Sequence, residues 1–114
     1  MKKFFGFAIA DSMFGGDCSI NRTVLTVDEV REYVQSSELV PCLNPSHQAT
    51  IDAMRSRFGI DVAIPEQPPR VCLEKGDSVV VMGVRGLPRL TDRHEYTAEE
   101  IGTASFSFSK YTVL

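Results

Sequence analysis

The sequence predicts an α+β domain in which helices pack on a single mixed β-sheet. Two observations support this fold class. Short apolar runs typical of strands alternate with segments of helical periodicity, and two capping-box patterns mark where helices begin. The chain has 114 residues, the size of one domain, so we expect residues 1–114 to form one core.

The first part of the chain predicts two strands and a helix. The apolar run 4–10 is typical of a strand buried on both faces, and residues 22–25 form a second, short strand. Thr26 and Glu29 have the capping-box spacing, in which each side chain accepts a hydrogen bond from the other residue's backbone N–H. A helix should therefore begin here and continue to about Ser37.

A second helix is predicted after a connector at residues 38–43. Asn44-Pro45-Ser46 marks its start, because Asn and Ser cap helices and Pro is tolerated in the first turn. Gly59 predicts that the helix ends after Phe58. The apolar side chains that recur on one face of this helix are Ile51, Met54 and Phe58.

The second half predicts a hairpin, a short helix and a final strand. Residues 70–74 and 78–84 are joined by Lys75-Gly76-Asp77, a pattern that favours a β-hairpin whose second strand is central in the sheet. A second capping box at 97–100 opens a short helix. Residues 105–114 alternate between apolar and polar side chains, as a half-exposed strand does.

Charge limits the class of ligand. Twelve Lys and Arg against fifteen Asp and Glu give a net charge of −3, the wrong sign for a protein that coats long nucleic acid. Arg85, Arg89 and Arg93 are accompanied by one acid, Asp92, so residues 85–93 carry +2 and the remaining chain −5. This segment suits a small anionic ligand, and the alternative is a solvated loop.

The cysteines and the apolar segments indicate a cytoplasmic protein. Cys18, Cys42 and Cys72 are widely spaced and odd in number, so neither a zinc ribbon nor a secreted disulfide framework fits, and we expect reduced thiols. The apolar run near the start is shorter than a signal peptide. No later stretch approaches the roughly 18 apolar residues of a membrane span.

His47 is the leading candidate for chemistry. It follows Asn44-Pro45-Ser46 at the predicted helix start, where unpaired backbone N–H groups and the helix dipole favour an anion such as phosphate. The same positive end disfavours the imidazolium, so the ring can exchange a proton near neutral pH. The alternative is a first-turn residue hydrogen-bonded to solvent, and we interpret His94 as a solvated loop residue.

The remaining motifs favour metal-free chemistry on RNA. Neither histidine has the ligand spacing of a zinc motif, so no metal or cofactor is predicted. The motifs of P-loop, serine-hydrolase and dinucleotide-binding proteins do not occur. A histidine, arginines, and Asp11 and Ser12 after the first strand suit cleavage in which the substrate's 2′-OH attacks the adjacent phosphate. The protein then positions the substrate, stabilises charge and protonates the departing 5′-oxygen.

Several segments, taken together, are similar to a known family. They are the first strand ending at Ala10-Asp11-Ser12, residues 44–50 around His47, Arg70-Val71 before residues 73–77, the strand 79–84 closing on Arg85, and residues 97–101. In this order and spacing, the chain resembles over nearly its whole length the small viral ring nucleases that act as anti-CRISPR proteins against type III systems.

The resemblance implies a homodimer that binds cyclic tetra-adenylate, a second messenger of type III CRISPR defence, across its two-fold axis. It implies cleavage without a metal to linear di-adenylate with 2′,3′-cyclic phosphate ends. His47 would be the general acid, Arg85 would hold the scissile phosphate, and Ser12 would orient the ribose or phosphate. The other candidate ligand-binding residues are Asp11, Arg70 and Arg89.

The chain departs from the family at two places. Ser46 stands where the family often has glycine, and Gly86-Leu87-Pro88-Arg89 stands where it has an acidic residue. Two other functions stay open. The first is a module that binds a cyclic oligonucleotide without cleaving it, and the second is a small interaction protein without a ligand.

Overall fold

The fold is a single mixed five-stranded sheet with helices packed on it, as the sequence predicts. The computed structural model describes residues 2–45, 47–67, 69–85, 98–102 and 104–114. The strands are β1 (Lys3–Gly6), β2 (Ile20–Leu25), β3 (Leu39–Pro41), β4 (Ser78–Arg85) and β5 (Ser105–Val113). The helices are α1 (Val27–Val34), α2 (Gln48–Phe58) and α3 (Ala98–Gly102), with a 3-10 turn at Asp11–Met13. In these ranges no helix is long and apolar enough to cross a membrane.

β4 is the central strand, which confirms the prediction made from its valine run. The strand order is β2-β5-β4-β1-β3. β4 pairs in parallel with β1 and antiparallel with β5. β3 adds to β1 in parallel at one edge, and β2 adds to β5 antiparallel at the other. The carboxyl ends of β1, β3 and β4 therefore lie at the same edge of the sheet.

Two predicted helix signals are confirmed in atomic detail. The Thr26 side-chain oxygen accepts from the backbone N–H of Glu29 at 3.2 Å, and Glu29 Oε1 accepts from the backbone N–H of Thr26 at 3.0 Å. Gly59 ends α2 in the left-handed conformation, with φ of 63°. The helix predicted from the second capping box is α3, while Thr97 lies outside the described residues.

Both α1 and α2 cover one face of the sheet, which we call the helix face. Its largest fully buried side chains are Phe5, Val30, Leu43, Ile51, Met54, Ile60, Val80 and Met82. Tyr33 joins α1 to the sheet, because its hydroxyl donates to the carbonyl oxygen of Phe4 at 3.0 Å and lies 3.0 Å from the Ser78 hydroxyl. Burial raises the pKa of Tyr33 to about 12, so this hydroxyl keeps its proton.

The described residues cover the opposite face, which we call the open face, only in part. Met13 and Phe14 pack there with Val71 and Leu73 over the amino halves of β1 and β4. Two loops supply these side chains, and a parallel bridge between Phe14 and Leu73 joins the loops. The carboxyl half of β4 and its neighbours in β5 and β2 lie beyond this cover.

The predicted β-hairpin is wrong. Residues 70–74 do not pair with β4, because β1 and β5 already occupy both edges of that strand. The segment instead contacts the loop after β1, where the backbone N–H of Leu73 donates to the carbonyl oxygen of Met13 at 2.7 Å. A turn does form at Lys75 and Gly76, but it leads from a loop into a strand.

Several element boundaries also differ from the prediction. α1 ends at Val34 rather than near Ser37. The connector 38–43 contains β3, a three-residue edge strand that ends at Pro41, a position where a missing N–H costs no ladder hydrogen bond. The first strand ends at Gly6 rather than Ala10. Residues 8–10 are exposed and continue the chain along the carboxyl edge of the sheet.

Asp77 fastens the turn before β4 to the start of the chain. Its Oδ1 accepts from the backbone N–H of Lys2 at 2.9 Å, and its Oδ2 accepts from that of Glu74 at 3.0 Å. Desolvation pushes the pKa of this buried carboxyl upward, but the two backbone hydrogen bonds and the positive charge of Lys2 together outweigh it, so the pKa is lowered from its ordinary value. The folded state therefore favours the carboxylate.

We predict that Asp77→Asn lowers the free energy of unfolding by about 1–3 kcal/mol at pH 7, because one of the two N–H groups loses its acceptor. A lowered pKa in the folded state stabilises the protein above the unfolded pKa of about 3.9, and this stabilisation is lost as the pH falls through the folded value. The stabilities of parent and variant should therefore converge below about pH 4. Urea denaturation from pH 7 to pH 3 measures this, with the exposed Asp17→Asn as control. Equal stabilities of parent and Asp77→Asn at pH 7 would contradict the assignment.

Candidate functional site

His47 lies at the amino end of α2 and is its N-cap residue. Its backbone N–H donates to the carbonyl oxygen of Asn44 at 3.1 Å, and its own carbonyl oxygen accepts from Ile51 at 3.0 Å in the first hydrogen bond of the helix. The imidazole does not cap the helix, and the residue is exposed. The backbone thus fixes the position of His47 while its ring is free to contact a ligand.

The imidazole borders a pocket of about 200 Å³ at the carboxyl ends of β1 and β3. The other residues that line the pocket are Gly6, Phe7, Ala8, Met13, Cys42, Asn44, Val71 and Val79. The Phe7 ring meets the His47 ring edge to face, with centroids 6.1 Å apart and an interplanar angle of 84°. The His47 imidazole thus borders a pocket whose lining is largely apolar. The pocket lies at the edge of the sheet where α/β proteins commonly bind ligands.

Three other predicted site residues lie in the loops that border this pocket. Asp11 and Ser12 belong to the 3-10 turn whose last residue, Met13, lines it. Arg70 directly precedes Val71, which also lines it. Asp11, Ser12 and Arg70 are all exposed. The fold therefore brings these loops to the same pocket as His47.

Arg85 lies in a second hollow, which opens on the open face. It is the last residue of β4 and pairs with Ser105. The hollow measures about 300 Å³, and we call it the serine trough; its lining residues are Arg22, Val24, Arg85, Ser105, Phe106, Ser107 and Ser109. Arg89 lies outside the described residues.

The two hollows are neighbours on the sheet but do not merge in the part of the chain that the structure describes. Gly6 lines the His47 pocket and pairs with Val81, which lies four residues before Arg85 in β4. At about 3.3 Å per residue, Arg85 lies roughly 13 Å further along the strand. His47 and Arg85 thus share the carboxyl edge of the sheet without lining one pocket.

Arg22, which the sequence pattern does not single out, also lines the serine trough. The register of β2 on β5 places it opposite Tyr111. Its Nε donates to the Tyr111 hydroxyl at 3.1 Å, its Nη2 donates to Ser109 Oγ at 3.0 Å, and its guanidinium lies 5.9 Å from the centroid of the Tyr111 ring. These partners are 87 and 89 positions away in the sequence, so the local pattern carries no signal for them.

Cys42 lines the His47 pocket as a neutral thiol. Burial raises its pKa to about 11, and its Sγ donates to the carbonyl oxygen of Val40 at 3.3 Å. A thiol that keeps its proton at neutral pH is a poor nucleophile and a poor metal ligand. The described residues contain no group of three or more His, Cys, Asp or Glu side chains arranged to hold a metal ion.

We predict that Cys42 is the slowest of the three free cysteines to react with iodoacetamide at pH 8. Cys18 and Cys72 are exposed, whereas Cys42 is half-buried and its thiolate becomes abundant only near pH 11. Peptide mass spectrometry of the native protein, sampled over time, measures the three rates. In denaturant the rates should become equal. Equal rates in the native protein would contradict the assignment.

Comparison with known proteins identifies the fold. No protein-family model matches the sequence, and no curated protein matches it. Among solved structures, the chain is similar to B116 of Sulfolobus turreted icosahedral virus (STIV) with a TM-score of 0.68. The match covers 98% of this chain and 99% of that chain at 17% sequence identity. At this identity the likeness shows the fold alone, so the five-stranded α+β architecture is one that a viral protein shares over its full length.

Proposed function

We propose that this protein is a metal-independent ring nuclease that cleaves cyclic tetra-adenylate to linear di-adenylate with 2′,3′-cyclic phosphate ends. The observation that supports this most is an exposed histidine, fixed at a helix amino end beside a pocket, with an arginine-bearing trough on the same edge of the sheet. The resemblance of the sequence to viral ring nucleases and the fold shared with a viral protein point the same way. On this proposal the protein is viral, acts in the host cytoplasm and counters type III CRISPR signalling.

In the proposed reaction the substrate supplies its own nucleophile. The 2′-oxygen of one ribose forms a bond to the adjacent phosphorus and loses its proton to solvent, while the bond from phosphorus to the 5′-oxygen breaks. The imidazolium of His47 gives its proton to that departing oxygen, a role for which a ring at the mouth of a pocket is accessible. Charge that develops on the phosphate is stabilised by the amino end of α2 and, as the family resemblance implies, by Arg85, whose trough opens at the same edge of the sheet.

Two copies of the chain would act on one ring. The His47 pocket of about 200 Å³ is smaller than the roughly 300–1,000 Å³ of sites that enclose a small ligand, so one chain does not surround four nucleotides. A four-membered ring contains the two-fold axis that a symmetric dimer supplies. Each subunit would then present His47 to one of two opposite phosphates, and cleavage at both gives two dinucleotides.

We predict that the parent protein cleaves radiolabelled cyclic tetra-adenylate in the presence of EDTA, and that His47→Ala slows single-turnover cleavage about a hundredfold or more. Because His47 acts on the departing oxygen, the variant should bind the ring with nearly unchanged affinity. Added imidazole should restore part of the rate, which separates loss of the acid from misfolding. Absence of linear product at stoichiometric parent protein would reject cleavage. Unchanged ligand together with a raised melting temperature would instead support the binding module.

A second prediction concerns Arg85. In a His47→Ala background, which keeps the ligand intact, Arg85→Ala should weaken binding of cyclic tetra-adenylate about tenfold or more, because charge-assisted hydrogen bonds to phosphate are lost. Arg85→Lys should fall between parent and Ala, since lysine keeps the charge and loses the two-pronged geometry. Isothermal titration calorimetry measures the affinities. Arg55→Ala, on the helix side of the sheet, is the matched control. Binding by Arg85→Ala that equals the parent would remove Arg85 from the site.

A further inference from the structure

The guanidinium of Arg22 is held in place with its binding edge unused. Of the five N–H donors of an arginine, Nε uses one on Tyr111 and Nη2 uses one on Ser109. The other three donors, on Nη1 and Nη2, have no partner among the described residues. These two nitrogens form the fork that binds phosphate or carboxylate with two parallel hydrogen bonds. Contact with the Tyr111 ring holds the guanidinium plane over β5.

Among the described residues the partners of Arg22 are neutral, unlike the carboxylates that pair with Arg31 and Arg55. Arg31 pairs with Asp28 at 3.0 Å, and Arg55 pairs with Asp61 at 3.4 Å. Arg22 contacts only hydroxyl groups and a ring among the described residues, and none of the residues that line the serine trough is acidic. Within the described part of the chain, no carboxylate therefore compensates the positive charge of Arg22 in the trough.

The floor of the trough consists of small residues with hydroxyl groups. Ser105, Ser107 and Ser109 occupy alternate positions of β5 on the open face. Gly83 pairs with Ser107, and a Cβ atom at Gly83 would lie 3.0 Å from Ser107 Oγ, so the glycine leaves this hydroxyl its space. The exposed hydroxyls of Ser105 and Ser107 can donate a hydrogen bond to an anion that the arginines attract, whereas buried Ser109 accepts from Arg22.

We propose that Arg22 binds a phosphate group of an oligonucleotide in the serine trough, together with Arg85. Arg22 contributes a fork oriented by Ser109 and Tyr111, and Arg85 contributes a second charge from the end of β4. The exposed hydroxyls of Ser105 and Ser107 are the remaining donors of the trough. Identification of the oligonucleotide as cyclic tetra-adenylate rests on the proposed function. Recognition of phosphate rests on the trough alone.

The test is binding of cyclic tetra-adenylate as a function of salt in the non-cleaving His47→Ala background. Arg22→Ala should weaken binding about tenfold at low salt. It should also lower the slope of log K against log salt by about 0.7 for each lost phosphate contact. Arg22→Lys should recover part of the affinity and most of the slope.

Two further variants test the orientation of Arg22 without removing its charge. Ser109→Ala and Tyr111→Phe each delete one hydroxyl that holds the guanidinium, so binding should weaken a few-fold while the salt slope stays that of the parent. Arg55→Ala, which removes an arginine on the other side of the sheet, should change neither quantity. Melting temperatures verify that each variant is folded, and if Arg22→Ala does not fold, the two hydroxyl variants decide the question.

The outcomes separate this inference from the proposed function. If the ring binds and Arg22→Ala matches its parent in affinity and slope, the role of Arg22 is overturned and the nuclease proposal stands. If the ring does not bind, the nuclease proposal fails, and a fluorescent linear oligoadenylate of about twelve nucleotides is the second probe. Weaker binding of that probe by Arg22→Ala then supports the phosphate site. Equal binding, or none by the parent, overturns it.

Discussion

The pairing of β4 on both edges is the constraint on which the rest of the structure depends. β1 and β5 occupy its two edges, while α1 and α2 cover one face and two loops cover the amino half of the other. Val79 and Val80, which point to opposite faces, are 1% and 0% exposed. A shift of one residue would exchange the two faces, so burial fixes the register. That register in turn sets the position of Arg85, at the end of β4, relative to the end of β1.

Local signals in the sequence were sufficient for elements that local contacts stabilise. The capping box of Thr26 and Glu29 and the left-handed Gly59 depend on residues a few positions apart, and both are as predicted. The prediction of a hairpin before β4 was wrong because the turn at Lys75 and Gly76 forms but residues 70–74 do not pair with β4. β1 takes the edge that residues 70–74 would need, and Asp77 bonds to Lys2, 75 positions away. A pattern read along the chain cannot show such competition between distant segments.

The same distinction separates the two halves of the candidate site. His47 could be proposed from the sequence because its position depends on the start of one helix, and Ser12 because it follows a strand-like run, whereas Arg70 was proposed through the family resemblance. Arg22 could not be proposed in this way, because the register of β2 on β5 determines its hydrogen-bond partners. In isolation it is one charged residue in an exposed edge strand. Opposite Tyr111 and beside Ser109 it becomes an oriented cation.

The distribution of charge explains how an acidic domain can still suit a phosphate ligand. Exposed charges act over roughly 8–10 Å at physiological salt, so the net charge of −3 matters less to a ligand than the groups it touches. Arg31 and Arg55 each pair with a carboxylate, whereas the partners of Arg22 among the described residues are neutral. On the covered part of the open face the exposed charges have both signs, because Lys75 lines the same hollow as Asp17. A short or cyclic ligand needs only the local patch of the trough, whereas a long polymer would extend over the rest of a chain whose net charge is negative.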